Sequence, residues 1–196
     1  MSDFEEIKKE LLQCRLCENI FPHEPRPIFQ GNPHAKIFQI SQAPSIHVHE
    51  SGLPFNDASG KRLRQEWYQI SAACFYDPNN FYIASMGHCY PGKKERGGDC
   101  LPPKHCAEHW LQKEMAMVDN ELYIIIGALA ASYIFPKIPF HDLVFNTQTL
   151  HDRKAFILPH PSPLNNRWLK QHPKFISERL PLLRKVLHEI LGIPFL

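Results

Sequence analysis

The chain has 196 residues, 43% of them hydrophobic and 21% charged, with a formal net charge of only +2. That balance excludes wholesale disorder and a strongly basic nucleic-acid-binding chain, so any basic surface has to be local. No apolar run is long enough to span a bilayer and no signal-peptide layout opens the sequence, so a cytoplasmic, monomeric single domain over residues 1–196 is expected, with no membrane partner.

Ser2 to Glu5 has capping-box spacing, and Phe4, Ile7 and Leu11 then recur at helical intervals. That helix delivers Cys14 and Cys17 as a CxxC pair. Prolines at 22, 25, 27 and 33 impose an extended connection. Residues 36–42 read as a first strand, which Pro44 ends, because proline cannot donate to a ladder. The polar stretch that follows carries His47, His49, Glu50, Phe55 and Asp57, and it reads as a loop at the carboxyl end of the sheet, where open α/β folds bind ligands. Leu63, Trp67 and Ile70 space a helix that starts near Ser59.

Residues 81–86 read as a second strand, followed by Cys89 and a basic, glycine-containing loop with Lys93, Lys94 and Arg96. Pro102-Pro103 opens a helix with Cys106, Trp110 and Met117. Leu122 to Ile126 is the most apolar strand and therefore the central one. Gly127 and its following alanines form a short helix, and Ala155 to Leu158 a fourth strand that ends in His160-Pro161-Ser162. Ile176, Leu180, Leu183, Leu187 and Ile190 mark a last helix, kinked or restarted at Pro181. Strands separated by helices predict a three-layer α/β/α fold on a four-stranded parallel sheet.

Six cysteines in a reducing compartment are thiols or metal ligands sooner than disulfides. Cys14, Cys17, Cys89 and Cys106 can make a four-thiolate site for zinc or an iron–sulfur cluster, with Cys100 as an alternative fourth ligand and Cys74 a core residue.

Taken together, these stretches resemble the uracil-DNA glycosylase superfamily, in particular its iron–sulfur branch or a glycosylase-like subgroup of it. The resemblance rests on CxxC, on Ser41-Gln42-Ala43-Pro44-Ser45, on Gly52-Leu53-Pro54-Phe55, on Cys89 with Cys106, and on His160-Pro161-Ser162. It implies a 4Fe-4S cluster (zinc being the alternative), DNA containing deaminated bases as partner, and hydrolysis of the base–sugar bond in base excision repair. His160 would donate to the uracil oxygen, Phe55 would stack on the base, and the main chain at Gln42 and Ala43 would meet the base edge. Ser85 stands where that branch has an asparagine that reads uracil, and Gln42 where it has an acid. Water positioning then falls to Gln42 and Asp57, with Glu50 the other nearby acid. Lys93, Lys94 and Arg96 on one side of the site, and Ser162, Arg167, Lys170 and Lys174 on the other, would hold DNA phosphates. Leu164 would wedge into the gap left by the base. The rival readings are a hypoxanthine or xanthine glycosylase and a metal-clamped module that binds damaged DNA without cutting it.

Overall fold

A computed structural model describes residues 3–194; the capping box predicted from Ser2 lies partly outside them. Helix α1 (Asp3–Leu12) buries Phe4 and Leu11, as their helical spacing requires. The sheet is built from β1 (Ile37–Ser41), β2 (Phe81–Ser85), β3 (Leu122–Ile126), β4 (Gln148–Leu150) and β5 (Arg153–Leu158). Its order is β2-β1-β3-β5-β4, so the most apolar strand, β3, does lie in the middle. β1, β2, β3 and β5 run parallel, and every residue of β1, β2 and β3 is buried. Strands buried along their whole length need cover on both faces, which is the layered α/β arrangement expected.

The sheet has five strands where four were predicted. The extra one is β4, paired antiparallel with β5 through the partners Leu150 and Arg153. The two residues between them, His151 and Asp152, both have positive φ (48° and 61°). A two-residue hairpin of that kind is usually announced by Asn-Gly or Asp-Gly. A three-residue strand closed by His-Asp carries no such signal.

Five short helices also differ from expectation or escaped it. The stretch read as a polar loop after β1 contains α2 (Ile46–Ser51), capped by Ser45, whose hydroxyl accepts from the Val48 N–H, and closed by Gly52 in the left-handed region. Helix α3 (Ala58–Arg62) runs into a π turn, Leu63–Tyr68, that ends at Gln69, so Ile70 is buried from outside the helix. Helix α4 (Ala72–Tyr76) then leads into β2. Helix α5 (residues 104–117) carries Cys106 and Trp110 and packs under α1 in a small satellite core with Leu11. After β3 come α6 (Ala128–Ile134) and α7 (Phe140–Phe145), the latter unpredicted. Helix α8 (Asn166–Gln171) follows the His-Pro-Ser segment. A π turn at Phe175–Arg179 passes with helical backbone into α9 (Leu180–Leu191), which has Pro181 in its first turn, where proline is tolerated. No helix among the described residues is long and apolar enough to cross a membrane.

Candidate active site

The carboxyl ends of β1, β2 and β5 meet at one side of the sheet. Residues from all three ends line a single chamber of about 450 Å³: Ser41 to Ser45, Ser85, and His160 with Ser162, Leu164 and Asn165. Phe55, Asp57 and Ser59 close it from the loop before α3. The chain leaves β1 toward β2 on one side and later returns to β3 on the other, so the chamber opens at the switch in strand order that favours a crevice.

The chamber floor is polar. Ser41 and Ser85 are register partners on adjacent strands, both buried, with their hydroxyls 3.0 Å apart. Main-chain bonds from Met86 to the Ser41 carbonyl and from Gly87 to the Gln42 carbonyl carry the pairing one step past the strands. Gln42 and Ala43 therefore leave the sheet in a held conformation.

Phe55 packs edge-on against Phe75 with its rings 6.2 Å apart, and its φ of 55° is left-handed. Three contacts secure that uncommon backbone. Its carbonyl accepts from Arg64, its neighbour Pro54 accepts from Tyr76, and Gly60 fits directly beneath it. A Cβ on Gly60 would lie 1.7 Å from the Phe55 carbonyl oxygen. Gly60→Ala is thus expected to displace the Phe55 loop, lowering stability by about 1–3 kcal/mol in denaturant unfolding and weakening substrate binding. An unchanged unfolding midpoint would show that the loop yields without cost.

Asp57 caps α3: one oxygen accepts from the Gly60 N–H at 2.8 Å and the other from the Ser45 hydroxyl at 2.9 Å. Capping and chamber lining thus coexist in one carboxylate, which also acts electrostatically on His160. The His160 ring accepts at Nδ1 from the Ser162 N–H, 3.2 Å away. With Nδ1 an acceptor, the ring proton sits on Nε2. Burial lowers the His160 pKa below its ordinary 6.5, and Asp57 only partly opposes this, so the ring is neutral at pH 7. Asn165 donates to the His160 carbonyl and Arg62 to the Pro161 carbonyl and to Asn166, which ties the His160 segment to α3 across the chamber.

Not every candidate reaches the chamber. Glu50 is exposed and pairs with His47 at 3.7 Å; neither lines it, because α2 turns both outward. His49 packs instead against His23 and Tyr90. Lys93, Lys94 and Arg96 sit on an exposed turn whose far strand brings Gly98 and Asp99 to the chamber rim, a contribution with no signal in the sequence. Arg167 and Lys170 are exposed on α8, Lys174 pairs with Glu178, and Leu164 at the segment tip is 91% exposed.

The second site is a narrow apolar chamber with an internal volume of about 10 Å³ between α1, the proline-rich connection and the start of α5. Cys14, Cys17, Cys89 and Cys106 all line it, whereas Cys100 does not. Cys74 lies partly buried at the edge of the main core. The thiols feel one another: burial, then neighbouring cysteines, push Cys17 up to about 11 and Cys89 up to about 12. Among the described residues no three His, Cys, Asp or Glu side chains are set to hold a single ion. Behind Cys106 lies a buried pair, His88 and Glu114, 3.0 Å apart, with Tyr82 donating to the same carboxylate. Burial would lower the His88 pKa, but Glu114 and Cys106 together carry it up to about 10.

A mostly parallel α/β sheet with a partly polar chamber at its carboxyl edge, lined by an imidazole and an anchored aromatic, defines a protein of the layered α/β class with its candidate site at the strand ends. The comparisons narrow this. The family model described as Uracil DNA glycosylase superfamily matches residues 28–184, and the chain belongs to that superfamily. It is similar to the type-4 uracil-DNA glycosylase of Sulfurisphaera tokodaii, 24% identical over 96% of this chain and 82% of that protein. It is also similar to the type-4 enzyme of Archaeoglobus fulgidus, 25% identical over 75% of this chain and 69% of that protein.

Proposed function

We propose that this protein hydrolyses the N-glycosidic bond of uracil, or a related deaminated base, in DNA, as the first step of base excision repair. The observation that carries the reading is the Ser162-to-His160 bond, which leaves His160 Nε2–H as a donor in the chamber Phe55 also lines. As the bond to the sugar breaks, negative charge grows on the base oxygen and positive charge on the sugar. A fixed neutral donor meets the first, and the Asp57 carboxylate the second. Phe55 offers a face for the extruded base, and Gln42 with Asp57 orients the water. Lys93, Lys94 and Arg96 on one rim and Arg167 and Lys170 on the other neutralise phosphates, with Leu164 reaching into the vacated stack. The Ser41–Ser85 hydroxyls permit an oxopurine such as hypoxanthine as a second substrate, because rotatable donors do not demand one base outline.

Cys14, Cys17, Cys89 and Cys106 are the residues that would hold a 4Fe-4S cluster. Their fit is the donor set itself: four thiols, two of them a CxxC pair, line one apolar chamber, and Cys thiolates are the ligands that such a cluster takes. When bound, the cluster supplies positive charge that lets buried thiolates stay deprotonated, and it ties α1 to the segment after β2. Protein purified without oxygen is expected to be brown, with iron and acid-labile sulfide; colourless protein with stoichiometric zinc would replace the cluster reading.

The functional test is incubation with oligonucleotides carrying uracil or hypoxanthine, followed by alkali to cut abasic sites. Strand breaks at uracil are expected, fading steeply with added salt. Binding to damaged duplex without alkali-labile sites would make the protein a non-cutting module. Two finer outcomes follow. Because burial depresses His160, the acid limb of kcat/KM is expected below pH 6.5, where protonation of Nδ1 removes the acceptor for Ser162; a limb centred above 6.5 would contradict the neutral donor. Asp57→Ser keeps a capping oxygen, so stability is expected to change by no more than about 0.5 kcal/mol while kcat falls. Equal activity would reduce Asp57 to its cap.

A further inference from the structure

The thiol chamber carries four nitrogen groups, on three residues, that holding a cluster by four sulfurs does not require. The His88 main-chain N–H reaches Cys106 Sγ at 3.4 Å, and ring Nδ1 lies 3.7 Å from the same sulfur. His105 Nε2 lies 3.3 Å from Cys17 Sγ. Trp110 lines the same wall, is 3% exposed, and its indole N–H is buried with no partner among the described residues. An unmet buried donor costs about 1–3 kcal/mol, so packing alone is a poor reason for tryptophan in place of phenylalanine there. An acceptor inside the chamber removes that cost.

Resting on the cluster reading above, we propose that His88, His105 and Trp110 donate hydrogen bonds to the cluster's sulfurs and thereby raise its reduction potential. Taking up one electron adds negative charge that spreads over the sulfurs, and N–H donors aimed at those sulfurs stabilise the more negative state. His88 donates to Cys106 while Glu114, itself held by Tyr82, fixes the ring from its other nitrogen. Glu114 is the opposing charge in this wall, and the Lys113 ammonium, 5.0 Å from the centre of the Trp110 ring, the favourable one. His105 is partly exposed and answers to Cys17 alone among the sulfurs it touches. The donors thus divide over two different cysteines, with the Trp110 indole left for a third sulfur or an inorganic sulfide.

The test uses the full chain purified without oxygen, as wild type, Trp110→Phe, His105→Ala and the double variant. Iron and sulfide are counted, and the midpoint potential is found by titration with dithionite as the one-electron source, followed optically. Unchanged iron and sulfide with a potential that moves negative in each single variant, and further in the double, is the expected result. Iron-loaded variants with the wild-type potential would overturn this inference and leave the cluster reading standing. Loss of iron from both single variants with native far-UV circular dichroism would overturn it too, because the donors would then be needed to retain the sulfurs. A wild type without labile sulfide would remove the cluster reading itself, and this inference with it.

Discussion

His160→Ala is expected to lower kcat on uracil-containing DNA by roughly 10²–10³-fold, the usual effect of removing one preorganised donor to a developing oxyanion. KM is expected to change little, because the donor works hardest when charge has left the sugar. The structure makes this a clean substitution. The ring spends only Nδ1 on the protein, through Ser162, while the path of the segment depends on its carbonyl, held by Asn165, and on Arg62 at Pro161. Alanine keeps both of those bonds, so the chamber wall stays in place and the loss is chemical. Single-turnover cleavage measured beside a thermal melt separates the two. Full activity in a folded His160→Ala protein would leave the proposed reaction without its electrophile.

Glu114→Ala has the largest expected effect on stability, a loss of about 3–5 kcal/mol. Glu114 and His88 are each 1% exposed, and the carboxylate serves two donors, His88 and Tyr82. The better-aligned His88 bond goes to Oε1, leaving Oε2 without a hydrogen bond of its own. Truncation would leave the buried His88 ring and the Tyr82 hydroxyl together without their acceptor, with a void where the acid had been. Glu114→Gln keeps the shape and a hydrogen-bonding group, so its loss is expected to be clearly smaller. Equal unfolding free energies for wild type and Glu114→Ala would mean that the pair is neutral in the native state. Nothing in sequence pattern marks this network. Glu114 lies among polar residues of a helix, and His88 in the turn segment after a strand.

Much of the frame was legible. Residues 37–41, 81–85 and 122–126 combine branched and aromatic side chains without polar alternation, which only a strand covered on both faces tolerates. Ser45 with Gly52 carried the start and stop signals of α2, and Asp57 the start signal of α3, although the histidines between the first pair drew attention to loop chemistry. The hairpin of β4 stayed hidden because His151-Asp152 adopts by tertiary constraint what Asn-Gly adopts by preference. Glu50 shows the opposite failure: proximity in sequence to a binding loop did not survive the turn of a short helix.

By itself, then, the sequence determined the parallel strands, the residue types available for base chemistry, and the cysteine pairs from which a cluster site could be chosen. Only the tertiary structure decided that Cys106 and not Cys100 lines that chamber, that Asp57 shares a chamber with His160 while Glu50 faces solvent, and that Asp99 reaches the rim. The reason is geometric. Strand and helix periods are local properties of a few successive residues, whereas a site is assembled where distant strand ends stop, and the direction of a side chain there depends on every element packed behind it.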